Sequence, residues 1–314
     1  MKILHLNDMA ADTLFGGAEY NASSVIAALR SMGHEVEDCG MRPCGQGMAS
    51  ARLPDCGKLD HDVILLGSWS LIDPRWLLRA LECTKAPLVL WMHNIPWCRN
   101  YSGECGGNVD AQHKGCRVPL YWSIISRATT VLCYSPPQLM RALATFGPPS
   151  TRDKYRILPI FCDHAEDFYS HRDDEREPGS VASVSRHGAA KGVHCYSIFA
   201  RTNPKLGPFR SYGTYHDGVR ELYKSAGIDV QESVQPADLP ALLGRHEYFF
   251  HQPPQLDTGP RTIVEARLAG CKVVAARTCG YTEHPDWALP DEELVARCKL
   301  APMAAAKAVC DAVA

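Results

Sequence analysis

The sequence has no long hydrophobic run. Nothing in it approaches the roughly 18 to 20 apolar residues that cross a bilayer, and the opening Met1 to Asn7 is broken by Asp8 and Asp12 too soon for a secretory signal. A soluble, cytoplasmic protein is expected. A dominant charge is also missing: the formal net charge is −2 over 314 residues, which excludes a global electrostatic coat for nucleic acid. There is no internal repeat and no Cys-x-x-Cys pair, so solenoids and zinc ribbons are excluded. No Gly-Lys-Ser/Thr follows the first glycine pair, and that pair lacks the third glycine of a dinucleotide fingerprint.

What is present is globular: 46% hydrophobic and 22% charged residues, in a chain long enough for two domains with ordinary cores. Fourteen cysteines are many, but most are scattered through segments that read as buried elements, and without a signal they are expected to be reduced thiols. The sequons at Asn21 and Asn100 are then chance matches. Charge is uneven locally, with a net of +6 from Lys85 to Arg156 and −5 from Asp163 to Glu177. A solvated face followed by an acidic linker is the plain reading of this contrast. The sharper one is a surface for an anionic acceptor.

Short apolar, β-branched runs alternate with helical patterns, the form of open parallel sheets covered by helices. Strands are expected at Lys2–Asn7, Glu35–Cys39, Asp62–Gly67, Leu88–His93, Thr129–Tyr134 and Tyr155–Pro159, then at Val181–Ser185, Phe209–Tyr212, Asp229–Glu232, Tyr248–Gln252 and Lys272–Ala276. The charged stretch His164–Ser180 separates the two sets and reads as a linker. Two α/β domains, 1–170 and 171–314, are expected, with ligand beyond the carboxyl ends of the strands in a cleft between them.

Three patterns carry chemistry. Gly16-Gly17 stands between the first strand and a helical segment that stops at Gly33, and a glycine pair there lets backbone approach a phosphate. Ser185-Arg186, with Lys191-Gly192 after it, follows the first strand of the second half. Asp257 and Glu265, with seven residues between them, flank a helix N-terminus, where unpaired N–H groups suit an anion and carboxylates suit sugar or ribose hydroxyls. That combination fits a nucleotide-sugar.

Gly16-Gly17-Ala18-Glu19, Ser185-Arg186…Lys191-Gly192 and Asp257…Glu265-Ala266-Arg-Leu-Ala-Gly270, in this order, resemble the motifs of GT-B retaining glycosyltransferases of family four (glycosyl transferases group 1) over about residues 1–285. The resemblance implies two Rossmann-like domains facing across a cleft, the first for acceptor and the second for a nucleoside diphosphate sugar, UDP-sugar favoured. It implies that Arg186 and Lys191 grip the donor diphosphate, so that no metal is required. Gly16, Gly17, Gly259, Arg261 and Thr262 would line the nucleotide-sugar, with Arg261 offering phosphate a charge where Pro260 lacks an N–H. Glu265 would bind ribose. Asp257 replaces the family's usual glutamate, one methylene longer, at the sugar 3- and 4-hydroxyls, with Gln255 as a substitute contact. His93, ending the apolar run from Pro87, would sit near the donor sugar, with Glu19 and Asn94 as secondary candidates on the acceptor side. The family's usual helix crossing back to the first domain is expected to be cut short after Pro290.

Cys98, Cys105, His113 and Cys116 lie in a glycine-rich loop after His93. A structural zinc, a disulfide and free thiols are all compatible with this set, with free thiols the default, and the loop is expected to border the acceptor entrance. The leading expectation is a metal-independent hexosyltransferase acting on a glycan, lipid-linked, small-molecule or modified nucleic-acid hydroxyl. The alternatives are a non-catalytic GT-B module that binds sugar nucleotide and a hydrolysing nucleotide-sugar epimerase. A phosphorylase would normally be much larger.

Overall fold

The structure, a computed structural model, describes residues 1–13, 17–44, 47–49, 53–55, 59–68, 72–93, 118–147 and 149–313. The chain divides into two compact units, one of residues 1–161 with 300–314 and one of residues 162–299.

The first unit holds β1 (Lys2–Met9), α1 (Gly17–Ser31), β2 (Glu35–Cys44), β3 (Gly47–Ala49), β4 (Val63–Leu66), α2 (Pro74–Cys83), β5 (Leu88–Trp91), α3 (Val118–Arg127), β6 (Ala128–Cys133), α4 (Pro136–Phe146) and β7 (Tyr155–Ile157). Its sheet has the order β3-β2-β1-β4-β5-β6-β7, parallel except for the β2–β3 pair. Every residue of β4 and β5 is buried, as expected of parallel strands covered on both faces, whose sequences are continuous apolar runs rather than alternating ones.

The second unit contains α5 (Ala165–Tyr169), β8 (Glu177–His187), α6 (Val193–Thr202), β9 (Phe209–Tyr215), α7 (Val219–Ser225), β10 (Ile228–Gln231), α8 (Leu239–Gly244), β11 (His246–His251), α9 (Arg261–Leu268) and β12 (Lys272–Ala275). Its sheet is wholly parallel, in the order β10-β9-β8-β11-β12. Val181, Tyr196, Phe209, Tyr223 and Phe250 form its core. The order reverses direction between β8 and β11, and in open α/β sheets a ligand crevice lies at such a switch point, outside the carboxyl ends of the strands.

All eleven expected strands form, within a few residues of their expected ends. The short antiparallel β3 was not anticipated, being too brief for any periodicity to register. The stretch read as a linker contains α5 and the start of β8, and its charged side chains have partners that charge counting does not reveal. Lys299 Nζ donates to Glu166 Oε1 at 2.6 Å, and Arg172 Nη1 donates to Glu292 Oε1 at 3.3 Å.

The segment after Pro290 is not cut short. It forms α10 (Asp291–Cys310), 20 residues long, beginning in the second unit and ending in the first. Its fully buried stripe is Leu294, Cys298, Ala301, Ala305 and Val309, and a stripe rich in alanine gives little hydrophobic contrast to read. No helix among the described residues is long and apolar enough to cross a membrane.

Candidate functional site

In the second unit, β8 ends in Arg186 and His187. Arg186 is exposed, whereas His187 is buried, with Nδ1 3.0 Å from the Tyr223 hydroxyl, Nε2 3.0 Å from the Tyr212 carbonyl oxygen and its ring stacked on Tyr215 at 4.9 Å. These contacts anchor the strand end, so the residues after it leave from a fixed point. Gly188 leads into a 3-10 turn, Ala189–Lys191, closed by Gly192 at φ 78°. A Cβ on Gly192 would lie 2.2 Å from the Gln252 carbonyl oxygen. Glycine is therefore required twice over, for its backbone conformation and for close approach, and the approach brings Lys191 to the end of β11.

The last residue of β11 is His251, and six residues on comes Asp257. The backbone of Asp257 is tied to the loop after β12: its N–H donates to Thr278 O at 2.8 Å, and its carbonyl accepts from Gly280 N at 2.7 Å. Its carboxylate accepts two hydrogen bonds on one oxygen. Lys191 Nζ reaches Oδ2 at 2.6 Å and His251 Nε2 reaches the same atom at 3.0 Å. Burial raises the Asp257 pKa, but the Lys191 charge and the His251 hydrogen bond outweigh it and hold the carboxyl well below the usual carboxylate range. The acid is ionised at neutral pH, and His251 carries its proton on Nε2, facing it.

α9 starts after Pro260, which supplies no N–H. Gly259 precedes that proline, and Thr262 is the second residue of the helix. Arg261 Nη2 donates to Glu265 Oε1 at 3.2 Å, one turn along, and Glu265 is only 5% exposed. Gln255 lies on the same loop as Asp257, between β11 and α9.

In the first unit, His93 stands two residues past β5 and is buried. Its Nδ1 is 2.8 Å from the Tyr134 hydroxyl, which also accepts from Asn21 Nδ2 at 3.1 Å. A Cβ on Gly67, just past β4, would lie 2.8 Å from Asn7 Oδ1 and 3.1 Å from His93 Nε2. A buried polar group thus gathers toward the carboxyl ends of β1, β4, β5 and β6. Burial, helped by the charge of His5, lowers the His93 pKa to about 3, so its ring is neutral. Gly17 opens α1 and Glu19 is buried in its first turn. Gly16, Asn94, Cys98, Cys105, His113 and Cys116 lie outside the described residues. Among the described residues no group of three or more His, Cys, Asp or Glu is placed to hold a metal ion.

Sequence reasoning did not single out His251, Tyr134 or Asn21. A usable signal existed for the first, since His251 closes an apolar strand in the way His93 does.

The buried histidines set an acid limit. Burial lowers His93 to about 3 and both His187 and His246 to about 4, against roughly 6.5 in an unfolded chain. Below pH 6.5 the unfolded state takes up protons that the folded rings refuse. Their contribution is complete above that pH and is lost as the pH falls toward the folded values. Urea midpoints should drop steeply between pH 6.5 and 5, and a flat profile there would show that the folded rings accept protons.

The sequence matches no protein-family model and no curated protein. Solved structures do resemble it. HepE from Anabaena in complex with UDP-glucose gives a TM-score of 0.60 at 18% identity, covering 100% of this chain and 97% of that one. AviGT4, a glycosyltransferase involved in avilamycin A biosynthesis, gives 0.59 at 14%, covering 99% and 96%. A UDP-forming α,α-trehalose-phosphate synthase from Burkholderia vietnamiensis gives 0.58 at 12%, covering 99% and 95%. At these identities the likeness is one of fold, and the fold of this chain, with its two parallel-sheet α/β domains, is GT-B.

Proposed function

We propose that the protein is a retaining glycosyltransferase of the family-four kind, moving a hexose from a nucleoside diphosphate sugar, with a UDP-sugar favoured, to an acceptor hydroxyl. One observation carries this reading: Lys191, Asp257 and His251 are joined by contacts of 2.6 and 3.0 Å at the carboxyl ends of β8 and β11, the strands flanking the switch point. An ammonium has three donors. Asp257 takes one, and the remainder serve donor phosphate oxygens together with the Arg186 guanidinium. Negative charge grows on the leaving diphosphate as the glycosidic bond breaks, and cations already fixed in place stabilise it without reorganisation.

Asp257 uses Oδ2 for Lys191 and His251, which leaves Oδ1 to accept from a sugar hydroxyl. Glu265, oriented by Arg261, takes the ribose, and the backbone at Gly259 and Thr262 supplies N–H groups to the nucleotide. His93, with its neutral ring, is assigned to the sugar, and the Gly16-Gly17 pair of the sequence to close backbone approach. HepE, crystallised with UDP-glucose, supports a uridine donor. The basic stretch Lys85 to Arg156 favours an anionic acceptor, whose binding would weaken steeply with salt.

The test is a thermal-shift panel of UDP, GDP, ADP, dTDP and CMP with their sugar conjugates, since ligand at 100 times its dissociation constant adds about 2.7 kcal/mol. The uridine compounds should shift the midpoint most. No shift with any member would overturn the reading, and a shift without transfer to any acceptor would favour the non-catalytic module that binds sugar nucleotide. Because the fixed cations carry the leaving-group charge, transfer is expected to survive a chelator; loss of activity restored by magnesium or manganese would remove that part.

A further inference from the structure

The opposite, amino-terminal edge of the second sheet holds a groove used by none of these roles. The first residues of β8 and β11, Glu177 and His246, are partners, and the next partners are Val181 and Tyr248, four steps along β8 against two along β11. The extra residues form a bulge that Gly179 and Ser180 hold in place. Gly179, at φ 75°, donates its N–H to Glu247 Oε2 at 2.6 Å, and Ser180 Oγ donates to Glu177 O at 2.6 Å. Bulges of this kind re-aim side chains. Beside it lies an open groove of about 520 Å³, within the range of small-molecule sites.

Its charge is unbalanced. Three arginines, Arg176, Arg210 and Arg245, line it against two acids, Glu175 and Glu177. Arg210 and Glu177 neutralise one another, with Nη2 to Oε1 at 3.3 Å. Arg176 donates to the backbone carbonyls of Arg172, Asp174 (3.1 Å) and Ala269 (2.9 Å), which do not cancel its charge, and its Nε is buried without a partner. Arg245 is exposed and makes no ion pair among the described residues. His246 also lines the groove and is 2% exposed. Its Nε2 is 3.0 Å from the Tyr212 hydroxyl, whereas its Nδ1 is buried with no hydrogen-bond partner. Whichever tautomer the ring adopts, Nδ1 is a buried polar atom with no partner; when Tyr212 donates to Nε2, the imidazole proton is on Nδ1. Tyr212 and Leu242 add apolar surface.

We propose that this groove binds a small organic anion, a phosphate or carboxylate carried on an apolar body. Arg245 supplies the charge, the His246 Nδ1–H a hydrogen bond, and Tyr212 and Leu242 the packing surface. The site is separate from the nucleotide-sugar residues, at the other end of the same two strands. β8 and β11, whose first residues line the groove, are the strands that end in His187, next to Arg186, and in His251.

Isothermal titration of the full chain with phenyl phosphate at low ionic strength tests this. One equivalent should bind to the wild-type protein and equally to Lys191→Ala, and binding should weaken at least tenfold in Arg245→Gln, whose exposed position spares the fold. In 15N-labelled protein the His246 Nδ1 resonance should move during the titration. Absence of binding, binding lost in Lys191→Ala but kept in Arg245→Gln, or a His246 resonance that stays still would each overturn the proposal.

Discussion

Lys191→Ala is expected to lower transfer by about 10²–10³-fold, the usual loss when one preorganised donor to developing negative charge is removed. It acts on two partners at once. On the proposed reading the donor diphosphate loses a cation, and Asp257 loses the contact at 2.6 Å that keeps its carboxylate ionised and placed. Removing one partner of a fully buried pair costs about 3–5 kcal/mol. Lys191 is 39% exposed, however, so water replaces part of what it supplied; a fall of about 1–2 kcal/mol in urea unfolding is expected, between the exposed and buried limits. In the wild type this stabilisation is present above the unfolded carboxyl value of about 3.9 and disappears as the pH falls below it. The variant should therefore lose less stability on going from pH 5 to pH 3. Near-normal turnover in Lys191→Ala would remove the diphosphate assignment, and an unchanged acid limb would show that the pair does not form in solution.

Gly192→Ala should be as damaging, although the residue it replaces has no side chain. A φ of 78° costs any other residue roughly 1–2 kcal/mol, and a Cβ 2.2 Å from the Gln252 carbonyl forces the backbone apart. The strain and overpacking together amount to about 2–4 kcal/mol. The movement occurs between Lys191 and the strand end that bears His251, and displacing a catalytic group by about 1 Å can cost about 10²-fold in rate. Gly218→Ala is the matching control. Gly218 has φ 76° and nothing within 4 Å of a built Cβ, so it should lose about 1–2 kcal/mol and keep its rate. Equal activities in the two variants would mean that the loop after β8 is not held against β11.

The elements most easily read from sequence are those whose burial is written in composition. Val63–Leu66 and Leu88–Trp91 are unbroken apolar runs, and each became a central strand. The neighbourhood of the candidate residues was also legible: Arg186 and Lys191 lie at and just past the end of β8, and Asp257 and Glu265 stand either side of the start of α9. Their pairings were less so. Lys191 and Asp257 are 66 residues apart, and their meeting depends on the Gly192 backbone lying against Gln252, a contact with no side-chain signature. The expected phosphate contact of Arg261 is a matter of ligand binding, whereas its spacing of four from Glu265 already allows the ion pair that forms. The stretch from His164 reads as a linker because Glu166 finds Lys299 only at a separation of 133 residues.

α10 gives the two units different folding schedules. Residues 162–299 are contiguous, so the second unit is complete as soon as they leave the ribosome. The first unit, translated earliest, also includes residues 300–314, with Ala305, Ala306 and Val309 fully buried and Cys310 Sγ 3.3 Å from His34 Nε2. The unit begun first is therefore finished last. A fragment ending at residue 161 would expose the surface that α10 covers, whereas one spanning 162–299 would keep its own core residues together.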